Sequence, residues 1–213
     1  MCNLYSMTAS VDEIKRLFGS FEGERDNLPA FDEIYPGKPA PVLRRNEEGG
    51  LKLEVMEWGF PGPAAAKGRP VTNIRNLASP FWRSALNRPD RRCVVPVTRF
   101  CEWEGEKGSK RKVWFGLHED REPLFAFAGL WRPGEGGVPY MAFLTCDPNE
   151  TVGAVHPKAM PVMLRLADVP AEQWTELAQL AVAQGIAHRD GQGQTNLIDQ
   201  ISLMLCRRAL PPA

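Results

Sequence analysis

The sequence predicts an α+β fold built round a largely antiparallel, barrel-like β-sheet with helices on its outside, and three observations lead there. Five apolar and aromatic runs follow one another between residues 92 and 146: "RCVVPV", "FCEWE", "KVWFGL", "LFAFAGLW" and "VPYMAFLTC", each separated from the next by turn residues. Upstream, "APVLRR" and "LKLEVMEWGF" flank the turn "NEEGG" in the manner of a β-hairpin. Strands dominate the chain and helical signals are few and widely separated, so helices belong on the outside of a sheet.

The elements follow in order. "SVDE" at Ser10–Glu13 has the spacing of a capping box and opens a helix that stops by Gly19. A polar, Pro-rich stretch runs from there to about residue 40. After the hairpin, "PGPAAAKGRP" (61–70) is too dense in Gly and Pro for a regular element, and "VTNIRN" reads as a short strand. "SPFWRSALN" starts a helix with Ser79 as cap and Pro80 in the first turn. Beyond the five strands, "DPNETVGAV" is a short helix and "MPVMLRL" another strand. "PAEQWTELAQLAVAQG" is the clearest helix, with Pro170 near its start and Gly185 as its stop. The tail, with a second apolar run "NLIDQISLMLC", is not assigned to an element. There is no internal repeat, and residues 1–213 are expected to form one domain.

Composition excludes several classes. Hydrophobic residues at 43% and charged residues at 24% are ordinary for a globular protein. With a formal net charge of zero, any nucleic-acid site must be a local patch. No apolar run reaches membrane-spanning length, and the start "MCNLYSMTASVDEIKRLF" lacks a basic segment followed by a long apolar one. A cytoplasmic protein without membrane contact is expected, and a monomer is the default. The five cysteines are odd in number, widely spaced and without a CxxC pair, which argues against a disulfide framework or a zinc cage. No metal or cofactor is expected. Cys93, Cys101 and Cys146 lie in apolar runs, where cysteine behaves as a small buried hydrophobe.

Cys2 differs from these by position. If Met1 is removed, Cys2 carries a free amine and a thiol on adjacent carbons. An α-amine titrates near roughly 7.7–8.0 and a thiol near about 8.5, so both would have an appreciable nucleophilic fraction at neutral pH. Three further stretches hold polar residues in unusual settings. "TNIRN" puts Asn73 and Arg75 on one face of an extended segment. "RFCEWEG" sets Glu102 in a strand, sharing a face with Phe100 and Glu104, while Trp103 shares one with Cys101. "AVHPKAMPVML" places His156 at the end of a short helix before an apolar strand. Each has a plainer reading: an Asn satisfying backbone groups, a Glu facing solvent, a structural His before Pro. The tryptophans Trp58, Trp82, Trp103, Trp114 and Trp131 read as core before they read as stacking platforms.

The order of the four stretches is more specific than any one of them. "MCN", "TNIRN", "FCEWEG" and "VHPKAMP", with "WGFPGP" at Trp58–Pro63, resemble the SOS response-associated peptidase family, also called abasic-site processing proteins, over residues 1 to about 166. The resemblance implies a self-processing cysteine peptidase that binds single-stranded DNA and crosslinks to abasic sites through a thiazolidine. It also implies an abasic-site lyase activity. Cys2 matches the family nucleophile, Asn73 the Asn of N-x-R, Glu102 the catalytic Glu of E-W, and His156 the active-site His. Arg75 matches the nucleic-acid-contacting Arg, and Arg83 and Lys158 are further candidates for phosphate contact.

The residue chemistry agrees. An aldehyde and a primary amine give a Schiff base, and a thiol on the neighbouring carbon closes a five-membered ring with a large proximity advantage. A carboxylate can take the amine proton, and a histidine can move protons as the sugar opens. There are departures from the family pattern: Leu4 stands where an Arg is common, Leu77 where an acid follows N-x-R, and Lys158 where Arg is usual. The chain's end lacks the expected Val- and Asn-containing segment. An N-terminal-nucleophile peptidase acting on itself or on other chains would use the same Cys2, Glu102 and His156. A third reading is a DNA-binding module with an incidental cysteine, which retention of Met1 would favour.

Overall fold

A computed structural model describes residues 2–23, 28–63, 67–117 and 124–164, together with the backbone of 207–208. The first strand, β1 (Tyr5–Met7), begins three residues after Cys2. Helix α1 (Val11–Phe18) follows, then β2 (Phe31–Ile34), β3 (Pro39–Arg45), β4 (Leu51–Trp58) and β5 (Asn73–Ile74). Helix α2 (Pro80–Leu86) leads into β6 (Arg92–Val97), β7 (Arg99–Glu104), β8 (Arg111–Gly116), β9 (Phe125–Arg132) and β10 (Tyr140–Cys146). A one-turn helix α3 (Glu150–Gly153) precedes β11 (Met160–Pro161) and β12 (Met163–Leu164), and β13 (Arg207–Arg208) pairs with β8.

The fold is α+β, mostly strands with three short α-helices among the described residues. One sheet runs β13–β8–β7–β1–β2, antiparallel throughout. In the other, β10 pairs with both β4 and β9, so the path β4–β3–β6–β9–β10 returns to its start as a ring. Its pairings are antiparallel except where β10 runs parallel to β4 and β5. Gly59 makes that junction: it takes a φ of +125°, and a Cβ there would lie 2.5 Å from Pro70 Cβ. Only glycine fits both demands. Its N–H bonds the Met141 carbonyl at 2.8 Å, bringing the end of β4 onto β10.

Local chemistry accounts for the helices. Ser10 and Glu13 form the reciprocal capping box, with Glu13 N–H on Ser10 Oγ (3.2 Å) and Ser10 N–H on Glu13 Oε2 (2.7 Å). Val11, Ile14 and Phe18 lie on one face of α1 and are buried. Ser79 caps α2, and Pro80 opens it. The ring of strands closes on an aromatic core in which Trp58 stacks on Phe143 (5.2 Å) and meets Tyr5 edge-on (4.9 Å).

Three features differ from the sequence reading. The polar stretch before residue 40 contains β2, whose partner β1 lies about 30 residues upstream in the register Tyr5↔Ile34. "MPVMLRL" is not one strand: β11 pairs with β10 and β12 with β9, so the chain changes partner at Val162. Val162 itself bonds both neighbours, donating to Leu144 and accepting from Ala128. The helix expected over 170–185 and the "NLIDQISLMLC" run lie outside the described residues.

Candidate functional site

Four elements deliver one polar side chain each to a common point. Cys2 precedes β1, Asn73 opens β5, Glu102 sits in β7, and His156 follows α3. Their placement has local causes. Asn149 caps α3 by accepting the Val152 N–H (2.9 Å), and the Val152 carbonyl then accepts the His156 N–H (2.7 Å), which fixes the turn that presents the imidazole. Parallel pairing with Phe143 and Leu144 of β10 holds Asn73 and Ile74, and Thr145 Oγ1 bonds the Ile74 carbonyl (3.4 Å).

Asn73 binds the backbone of Cys2. Its Nδ2 donates to the Cys2 carbonyl at 2.9 Å and to Thr72 Oγ1 at 2.7 Å. Its Oδ1 is buried and accepts no hydrogen bond from the described residues. Glu102 is only 2% exposed, against the solvent-facing reading of a strand glutamate. Burial pushes its carboxyl up to about 7, a rise that the positive chain terminus opposes. His156 Nδ1 stands 3.9 Å from Glu102 Oε2. Burial holds the imidazole below its usual value, and the charges of the chain terminus, Lys158 and Lys110 add to that effect. The pair therefore sits near neutrality as a weakly acidic carboxyl beside an unprotonated imidazole.

Cys2 is more enclosed than its position near the start of the chain suggests. The side chain is fully buried, its Sγ 3.4 Å from the Leu4 carbonyl oxygen. Burial, and then the nearby Glu102 charge, push the thiol well above its ordinary range. A thiol so placed is neutral at pH 7, and it needs a base rather than an intrinsically low pKa. The Glu102 carboxyl, pushed up to about 7, lies close enough to influence it.

The basic candidates are more scattered. Arg75 is ion-paired with Asp147 at the end of β10, an acid that the sequence did not single out. The two residues lie 72 positions apart in the sequence. Lys158 is exposed beside His156, and Arg83 is exposed on α2 with no contact to the four site residues. Trp58 and Trp82 are buried, while Trp103, Trp114 and Trp131 are half-buried. Each of those three rings carries a cation: Lys112 over Trp103, Arg99 over Trp114, and Arg44 and Arg91 on Trp131. Among the described residues no group of three or more His, Cys, Asp or Glu is placed to hold a metal ion. No helix among them is long and apolar enough to cross a membrane.

A family model described as SOS response associated peptidase (SRAP) matches residues 1–190, most of the chain and all four site residues. The chain belongs to the SRAP family. Solved structures with the same fold include a Bacteroides thetaiotaomicron protein, with a TM-score of 0.67 at 20% identity over 86% of each chain. A Bordetella bronchiseptica protein gives 0.64 at 18% identity, over 92% of this chain and 95% of that one. A phage-related protein of the same organism gives 0.63 at 18% identity, over 92% and 91%. At these identities the likeness is one of fold. No curated protein matches the sequence.

Proposed function

We propose that this SRAP protein binds single-stranded DNA and joins covalently to abasic sites through Cys2, after loss of Met1. The observation that carries the reading is the convergence on Cys2 of an amide holding its carbonyl and a buried carboxyl near pH 7, with a neutral imidazole 3.9 Å from that carboxyl.

In this reading the Cys2 amine adds to the ring-opened sugar aldehyde, and Glu102 takes the proton released from nitrogen. Loss of water leaves a Schiff base. The Cys2 sulfur then adds to the imine carbon while its proton passes to nitrogen, and the thiazolidine closes with one water released overall. His156 moves a proton between the hemiacetal hydroxyl and the ring oxygen as the sugar opens. The unfilled Asn73 Oδ1 is a ready acceptor for the Cys2 amine. Arg75, half-buried, and Lys158, exposed, lie near the site and supply phosphate contacts. A buried nucleophile also favours an unpaired lesion, because only a flexible strand can bring its sugar to Cys2.

Self-removal of Met1 is the peptidase step that the family description suggests. Asn73 bonds the Cys2 carbonyl, on the far side of the residue from the Met1–Cys2 peptide, so it orients Cys2 and does not polarise that bond. The test uses an abasic single-stranded oligonucleotide with borohydride trapping. Glu102→Gln should lower the early trapped imine, and His156→Ala should slow reaction with the closed hemiacetal while sparing a small open aldehyde, each by about 10²–10⁴-fold. Wild-type rates in both variants, or equal rates on duplex and single strand, would contradict the reading.

A further inference from the structure

Residues 2 and 3 lie beyond the end of a strand, where chain ends fray unless tied down. Among the described residues the last backbone bond between this segment and β7 runs from the Cys101 N–H to the Leu4 carbonyl (2.9 Å). Past that rung, side chains take over. Asn73 holds the Cys2 carbonyl from β5. On the other side, the Trp103 indole Nε1–H donates to Asn3 Oδ1 at 2.9 Å, across 100 residues of sequence.

We infer that Asn3 and Trp103 form a positioning clamp that sets the Cys2 amine and thiol against Glu102. The inference rests on the crosslinking chemistry proposed above. Glu102 and Trp103 are consecutive on β7, so their side chains leave opposite faces of one rigid strand. Glu102 points inward and is buried; Trp103 points outward and is half-buried. Anchoring residue 3 to Trp103 therefore references the nucleophile to the same strand that carries the base. The indole is itself braced. Lys112, opposite Trp103 in the β7–β8 register, holds its Nζ 6.0 Å from the ring centroid. Lys112 is ion-paired with Glu33 of β2, which also accepts the Tyr35 hydroxyl at 2.7 Å. Asn3 is exposed, so its bond adds little to folding. Its effect is geometric, narrowing the range of positions from which the aminothiol can attack.

The experiment uses Met1-free wild type, Asn3→Ala, Trp103→Phe and the double variant. Each reacts with a saturating abasic oligonucleotide and, separately, with acetaldehyde. Each single variant should react about 3- to 10-fold more slowly with both aldehydes. Oligonucleotide affinity and urea midpoint should stay at wild-type values, and the double variant should be no slower than the slower single. Rates equal to wild type, additive losses, or a loss confined to affinity would overturn the clamp. A wild type that reacts with acetaldehyde but never with the oligonucleotide would sink the DNA reading instead. The acetaldehyde series would then still decide the clamp.

Discussion

Glu102→Gln should make the protein more stable at pH 8 than wild type, although it removes a residue assigned to catalysis. Burial pushes the Glu102 carboxyl up to about 7 in the fold, against 4.5 for a free glutamate. A carboxyl raised in this way contributes its full stability below about pH 4.5, and that contribution is lost as pH rises through about 7. The gap of 7 − 4.5 = 2.5, at about 1.4 kcal/mol per pH unit, makes the ionised side chain about 3 kcal/mol less favourable in the fold at pH 8. His156 acts in the opposite sense. Burial holds it below its usual value, so its contribution is present above about pH 6.5 and is lost as pH falls. Both proteins contain His156, 3.9 Å from Glu102 in wild type, so the difference between them reports Glu102 together with its coupling to the imidazole. Urea unfolding of wild type and Glu102→Gln at pH 4, 6 and 8 should show the variant gaining about 3 kcal/mol on wild type between the first and last. Parallel stabilities across that range would mean that Glu102 ionises like a surface carboxylate, and its assignment as a base matched to neutral pH would fall.

The crosslinking rate at saturating DNA should rise between pH 6 and 8 with an apparent midpoint of about 7, as Glu102 loses its proton. A stopped-time pH series checks this, and the same midpoint in Glu102→Gln would assign the titration to another group. The Arg75–Asp147 pair has side chains 39% and 68% exposed. A pair so exposed is worth at most about 1 kcal/mol, so a phosphate can displace the carboxylate. Asp147→Asn should then tighten single-stranded DNA binding by about 2- to 5-fold at low salt in fluorescence anisotropy, within that same energy. Weaker binding would mean that Asp147 holds Arg75 in place for the DNA.

What was legible in the sequence was mostly local. The Ser10–Glu13 box, the Ser79 cap and the hairpin turn act over a few residues, and each stands in the structure as expected. β2 was not legible because "FDEI" has one buried residue in four and is a strand only through pairing with distant β1. The split at Val162 reflects a change of partner strand, which no apolar pattern encodes. The site divides in the same way. Strand alternation correctly grouped Glu102 with Phe100, but only the closed fold makes that face an interior one. Position next to Met1 suggested a reactive Cys2 thiol, whereas packing buries it and pushes its pKa up. Asp147 and the Asn3–Trp103 bond lie 72 and 100 residues from their partners, beyond the reach of any motif.

The central claim is that Cys2, freed of Met1, bonds covalently to an abasic sugar. Intact mass spectrometry after incubation with an abasic single-stranded oligonucleotide tests it most directly. Wild type should give an adduct equal to the Met1-free protein plus the oligonucleotide less one water, and Cys2→Ala should give none. An adduct that keeps Met1, or one formed equally by Cys2→Ala, would contradict the claim.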